Sequence, residues 1–178
     1  MRERVRLRSI LIVDDDHLLV TALERDLGSR GMEVFGASTA ATGIELARKE
    51  QPDCALLDLS IGDDSGLELL RVLKEELPEL VVLLLSGHAG VQHAVEAFHG
   101  GAVDFLQKPL GGAKVMEALK RAEERAEAGE SAPTLARAEF DHINRVLAAC
   151  NGNISEAARR LGIHRRSLQR KLQKTPPG

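Results

Sequence analysis

Apolar residues in this chain come in short runs separated by amphipathic stretches. Strands are predicted at about Ser9–Val13, Glu33–Ala37, Cys54–Leu57, Val81–Leu85 and Asp104–Leu106. The first, third and fourth are almost continuously apolar, as buried parallel strands require. Between them the spacing turns helical. Leu18, Leu19, Ala22, Leu23 and Leu27 make one stripe and Ala40, Ile44 and Ala47 another, closed by Gly31 and by Pro52 beyond their ends. Five such βα repeats predict a doubly wound α/β fold, with right-handed crossovers and one twisted parallel sheet covered on both faces.

Beyond Pro109 the pattern changes. Val115, Leu119 and Ala122 continue a last helix, after which 123–133 carries almost no apolar bulk and reads as a linker that can start helical and is loose by Gly129. Three short helices follow, at about Arg137–Cys150, Ser155–Leu161 and Arg165–Gln173, broken by Asn151-Gly152-Asn153 and by Gly162. Ala157, Ala158 and Leu161, then Ile163, Leu168 and Leu172, supply an inner face for two crossed helices, a helix-turn-helix. The expected organisation is therefore a domain over 1–124, a linker over 125–135 and a small all-α domain over 136–178.

Charge sharpens that division. The net charge of −3 conceals 15 Lys+Arg against 24 Asp+Glu in residues 1–135, and 9 against 3 in 136–178. The basic tail is the nucleic-acid candidate. Off the Leu168/Leu172 face lie Arg165, Arg166, Gln169, Arg170 and Gln173, types that can donate bidentately to guanine or adenine. Arg159, Arg160, Lys171 and Lys174 suit phosphate contacts. A solvated basic face is the plainer alternative; the helix-turn-helix setting favours double-stranded DNA. A helical segment of this size needs dimerisation or packing on the first domain for stability.

Cys54 and Cys150 lack metal-ligand spacing and read as small hydrophobes, Cys150 with some scope for redox reactivity beside basic residues. The run Ile10–Val13 is too short for a signal peptide or membrane span, so a cytoplasmic protein without membrane contact is expected. None of the six histidines has metal-ligand spacing. His17 and His88 are expected at the mouth of an acidic crevice, and His93, His99, His142 and His164 on helices in surface or capping roles, with His164 near a DNA phosphate.

The chemistry gathers where the strands end. Asp14-Asp15, Asp58, Ser86 and Lys108 each close a predicted strand, and carboxyl ends of neighbouring parallel strands converge on one crevice. Any one of these acids alone is more often a turn former or helix cap. Together they describe a phosphorylatable aspartate. Crowded carboxylates need a shared cation, and hard, oxygen-seeking Mg²⁺ fits, with Asp15 and Asp58 as direct ligands and Asp14 reaching it through water. Lys108 and Ser86 would balance the phosphoryl oxygens while Asp58 attacks phosphorus.

On these residues, Ile10 to Pro109 resembles the receiver domain of two-component response regulators. The resemblance implies a flavodoxin-like sheet of order 2-1-3-4-5 and phosphorylation of Asp58 by a sensor histidine kinase. It implies Mg²⁺ held by Asp14, Asp15, Asp58 and the Ser60 backbone carbonyl. It further implies a switch made by Ser86 and Phe105, Lys108 paired with the phosphate, and a cis bond at Lys108-Pro109. Ser60 and His88 occupy positions that tune dephosphorylation in that family. The run Asn151 to Leu172 resembles the Fis-type helix-turn-helix. A receiver joined directly to it, without a central ATPase module, is most like the RegA/PrrA/ActR group of redox-responsive regulators. The hinge differs: it is Glu/Ala-rich here, with Pro133 alone, where that group often has a proline-rich one.

The expected function is a DNA-binding transcription regulator, dimeric when phosphorylated. On this expectation phosphorylation remodels the surface of the fourth and fifth helices, about Val91–His99 and Gly112–Arg125, and frees or pairs the basic tail. An adaptor whose C-terminal helices bind a protein is the alternative. A Mg²⁺-dependent phosphohydrolase is disfavoured, because Ser60 stands where a second acidic group would be needed.

Overall fold

The computed structural model describes residues 6–87, 96–128 and 135–173. Its larger domain is a five-stranded parallel sheet of order β2-β1-β3-β6-β7, built from β1 (Ser9–Val13), β2 (Glu33–Ala37), β3 (Cys54–Asp58), β6 (Val81–Ser86) and β7 (Asp104–Gln107). This is the expected order 2-1-3-4-5 with a short antiparallel hairpin, β4 (Ser60–Ile61) and β5 (Asp64–Ser65), inserted after β3. Every residue of β3 is buried, which is why its sequence shows no alternation.

Helices α1 (His17–Ser29), α2 (Ala40–Glu50), α3 (Gly66–Glu76), a helical segment α4 (96–99) and α5 (Gly112–Ala128) cover the sheet. One core layer sets Leu11, Val13, Leu57 and Leu84 against Leu69, Leu70 and Leu73 of α3; the other sets Ile10, Ile12, Leu56 and Leu83 against α1 and α5. Alternate strand residues thus face opposite layers.

One helix expectation is corrected. The buried stripe of α1 is Val20, Leu23 and Leu27, whereas Leu18 is 84% exposed and Ala22 is also exposed. A period of 3.6 admits one face, and the longer i, i+3, i+7 series wins it. Helix α5 runs on to Ala128, so the linker has the helical start its sequence allows. The rest, 129–134, lie outside the described residues, as do His88, His93, Lys174 and the start of the expected fourth helix.

The C-terminal domain comprises α6 (Leu135–Ala149), α7 (Ile154–Arg160) and α8 (Arg165–Leu172) around Ile143, Val146, Cys150, Ala157, Ala158, Leu161 and Leu168. Asn153 caps α7, its side chain accepting from Ser155 N and Glu156 N, both at 3.1 Å. Gly162, at φ +64°, makes the tight turn into α8. Cys150 is buried in this core, which removes the setting for a reactive thiol. Among the described residues no helix is long and apolar enough to cross a membrane.

Candidate functional site

The ends of β1, β3, β6 and β7 meet at one crevice, as the strand pattern predicts. Asp14 follows β1 and is 1% exposed, Asp58 ends β3 and Ser86 ends β6, both buried, and Lys108 follows β7 across a cis bond to Pro109. Carboxylate oxygens of Asp14, exposed Asp15 and Asp58 lie within 4.8 Å of one another. Lys108 Nζ stands 2.7 Å from Asp14 Oδ2 and donates at 2.8 Å to Asp58 Oδ2. The Lys108 backbone N–H donates to Ser86 O at 2.9 Å, holding the β7 end against the β6 end.

The electrostatics follow from crowding. Burial, then the Asp58 charge, hold the Asp14 carboxyl above its usual range, against the lowering effects of Lys108 and of the Asp16 N–H donated to Asp14 Oδ1 at 2.9 Å. Burial disfavours the Lys108 ammonium, but Asp14 and Asp58 outweigh it and raise its pKa. One cation is therefore shared between two carboxylates, and the exposed Asp15 keeps the third side open. An all-oxygen set of this kind fits a hard divalent ion such as Mg²⁺.

Sequence reasoning missed Gly66, the first residue of α3. A Cβ there would stand 1.9 Å from Asp58 O and 3.0 Å from Leu59 Cα, and its N–H donates to Leu59 O at 2.9 Å. Only glycine lets α3 start so close beneath Asp58. Glycine is a poor helix former at any other position, and that was the available signal. Ser60 lies in β4, opposite Ser65, just beyond Asp58.

Phe105 is 2% exposed, and its ring is covered on the outer side by the C-terminal domain. The His142 ring of α6 meets it edge-on, centroids 5.5 Å apart at 74°. His142, expected on a surface or as a cap, is instead buried, because α6 is packed on two sides. Beside it Asp104 Oδ1 accepts from Arg145 at 2.6 Å and Asp104 Oδ2 from Arg121 at 3.0 Å, tying α6, β7 and α5 together. A cleft of about 310 Å³ between the domains is lined by Phe105, Lys114, Glu117, Arg121, His142 and Arg145, among others.

The basic helix is formed as expected. Arg165, Arg166, Arg170 and Gln173 are exposed, Gln169 is half-buried, and Lys171 is half-buried with a partner. Arg159 and Arg160 are exposed and both pair with Glu156. They also line a second cleft with Gly87, Lys108 and Lys114, so the end of α7 borders the acidic crevice. His164 precedes α8 without capping it through its side chain.

Residues 10–120 match the response regulator receiver domain family, and 134–174 match the Fis family of bacterial regulatory proteins. The chain is 39% identical over 171 residues to the acid tolerance regulatory protein ActR of Sinorhizobium medicae, covering 96% of this chain and 88% of that protein. It is 37% identical over 171 residues to the photosynthetic apparatus regulatory protein RegA of Rhodobacter capsulatus, covering 96% and 93%. Among solved structures it is similar to a response regulator from Burkholderia pseudomallei containing a phosphorylated aspartic acid, calcium ion and citrate. That match has a TM-score of 0.64 and 37% identity, over 94% of this chain and 99% of that one.

Proposed function

This chain belongs to the two-component response regulators, a receiver followed by a Fis-family DNA-binding domain, and from that premise we propose that Asp58 is its phosphoacceptor. The observation that carries this reading is the Lys108 ammonium bridging Asp14 and Asp58 in a crevice whose three carboxylates approach within 4.8 Å. A sensor histidine kinase is the phosphodonor. An Asp58 oxygen attacks phosphorus as the P–N bond of the donor phosphohistidine breaks, and the leaving imidazole nitrogen takes up a proton. Lys108 pairs with a phosphoryl oxygen, and the Ser86 hydroxyl contacts another.

Asp14, Asp15, Asp58 and the Ser60 backbone carbonyl would hold Mg²⁺, which when bound supplies charge to offset the phosphoryl oxygens. The similar Burkholderia protein contains a calcium ion, another hard divalent cation, which supports a cation of that class here. The chemistry assigned to the chain is phosphotransfer to its own aspartate and hydrolysis of the product.

Output follows from the docked domain. Ser86 follows the phosphoryl group and Phe105 follows Ser86; because His142 rests on Phe105, moving that ring loosens α6 from β7 and α5. The freed α8 presents Arg165, Arg166, Gln169, Arg170 and Gln173 to the DNA major groove, with Arg159, Arg160, Lys171 and Lys174 on phosphates. A homodimer would match two half-sites one helical turn apart.

The test is DNA binding by the intact chain with and without a small phosphodonor and Mg²⁺, at two salt concentrations, beside Asp58→Asn. Selective binding that tightens with phosphodonor in the wild type and not in the variant is expected. The same tightening in Asp58→Asn overturns the assignment of Asp58. Absence of binding in both states overturns the DNA-directed output in favour of a protein-binding adaptor.

A further inference from the structure

The contact between α6 and the receiver holds an ionisable ring that the phosphorylation chemistry does not use. His142 is 4% exposed, and its Nε2 has no hydrogen-bond partner among the protein's described groups. The charged groups around it come from three elements. Helix α6 itself supplies Arg145 and Asp141, the latter 4.0 Å from Arg125 of α5. Strand β7 supplies Asp104, and α5 supplies Lys114, Glu117 and Arg121 along the shared cleft.

Asp104 is the acid placed to accept a hydrogen bond from a protonated ring, but both its oxygens are already engaged by arginines. A proton on His142 would therefore set a buried cation beside the Arg145 guanidinium, with no acceptor on its Nε2. Burial, then Arg145, push the ring's pKa down to about 4, with Asp104 acting weakly the other way. Arg145 Nε is likewise buried and unpartnered, so the interface has no spare acceptor on that side.

We propose that His142 is a proton-sensitive latch between the two domains: neutral, it seats α6 on Phe105; protonated, it releases the C-terminal domain from the receiver. The sign follows from linkage. Once released and in water, the ring regains its ordinary value near 6.5, so protons favour the undocked form. Docking is fully supported above that value and is lost progressively as the pH falls toward 4. Between pH 7.5 and 5.5 the ratio of docked to undocked chains falls about tenfold, independently of Asp58. The consequence for DNA binding rests on the response-regulator reading; the latch itself does not.

NMR of the intact, unphosphorylated chain tests it without phosphodonor, Mg²⁺ or DNA, so a failure of the Asp58 assignment cannot be mistaken for a failure here. The His142 ring titration and the amide resonances of β7 and α5 are followed from pH 7.5 to 4.5 in the wild type, in His142→Phe and in His142→Arg. The wild type should lose its docked resonances in step with the ring titration. His142→Phe, which keeps a ring on Phe105 and cannot charge, should keep them throughout, and His142→Arg should lack them already at pH 7.5. Docked resonances that persist through the wild-type titration overturn the proposal, as does a pH response in His142→Phe as steep as the wild type's. If His142→Phe fails to fold by circular dichroism, His142→Arg decides, because a docked His142→Arg chain at pH 7.5 overturns the latch.

Discussion

Gly66 begins α3 so close to Asp58 that a methyl group on it would overlap the Asp58 carbonyl oxygen, at 1.9 Å. The proposed phosphoacceptor thus has its backbone held from beneath by a helix start. Gly66→Ala is expected to push the two apart, costing about 1–3 kcal/mol of stability and slowing Asp58 phosphorylation by a small phosphodonor. Denaturant midpoints and the rate of phosphoprotein formation check this, and an unchanged rate in a folded variant would show that Asp58 tolerates the shift.

Asp14 makes the receiver pay in stability for its charge cluster. Its carboxyl is held above the usual range by burial, so this group favours the fold below its ordinary value of 3.8 and loses that contribution as pH rises through the raised one. Asp14→Asn keeps an acceptor for the Asp16 N–H and removes the charge. At pH 7 without metal the variant should be more stable by roughly 1 kcal/mol, while the rise in Tm that Mg²⁺ gives the wild type disappears. Thermal melts with and without Mg²⁺ measure both effects.

Arg145 reaches across from α6 to Asp104 at 2.6 Å. Its side chain is 38% exposed, so the pair is worth on the order of 1 kcal/mol after solvent screening. Arg145→Ala should leave Asp104 with Arg121, loosen docking, and raise the DNA affinity of the unphosphorylated chain roughly fivefold by the same conversion. Filter binding at fixed pH decides it; weaker binding than the wild type would mean that Arg145 serves DNA instead.

The exposed arginines of α7 and α8 should separate by role. Arg166→Ala is expected to lose about 1–3 kcal/mol at one base pair of the operator and to relax the preference there. Arg159→Ala should weaken every sequence alike and lower the salt slope by about one unit. Titrations against point-substituted operators at several salt concentrations distinguish them, and equal loss of selectivity in both would undo the division.

Leu168 is fully buried where α8 meets α6 and α7. Leu168→Ala should cost about 2–5 kcal/mol, enough to move the melting of this small domain well below that of the five-stranded sheet. Two separate calorimetric transitions are expected, with the upper one unmoved.

The strands were legible because buried parallel strands show unbroken apolar runs, and the crevice because each run stops at a polar residue. Asp14, Asp58, Ser86 and Lys108 therefore fell at strand ends as predicted. The β4–β5 hairpin was not legible: strands of two residues have no period to detect. Leu18 misled because an exposed leucine next to an apolar stripe looks like part of it. His142 was hidden for another reason. Helix α6 buries Ile143 in its own domain and His142 against the receiver, and a second buried face made of a histidine beside an arginine reads as surface. The spacing of His142, Val146 and Ala149, all bordering the interdomain cleft, was the trace it left.

Among the described residues the docked domain is held by little: an aromatic pair, the Arg145–Asp104 bridge, a longer Arg125–Asp141 pair and a cleft not filled by side chains. Such a contact between free molecules would be short-lived at cellular concentrations. Joined through residues 129–134, the two surfaces meet at an effective concentration in the millimolar range, and a feeble intrinsic affinity suffices to keep them together. The same tether makes the arrangement easy to tip. An input worth about 1.4 kcal/mol changes the open fraction tenfold, so a phosphoryl group acting through Phe105 need not overcome a strong interface, only unbalance a weak one.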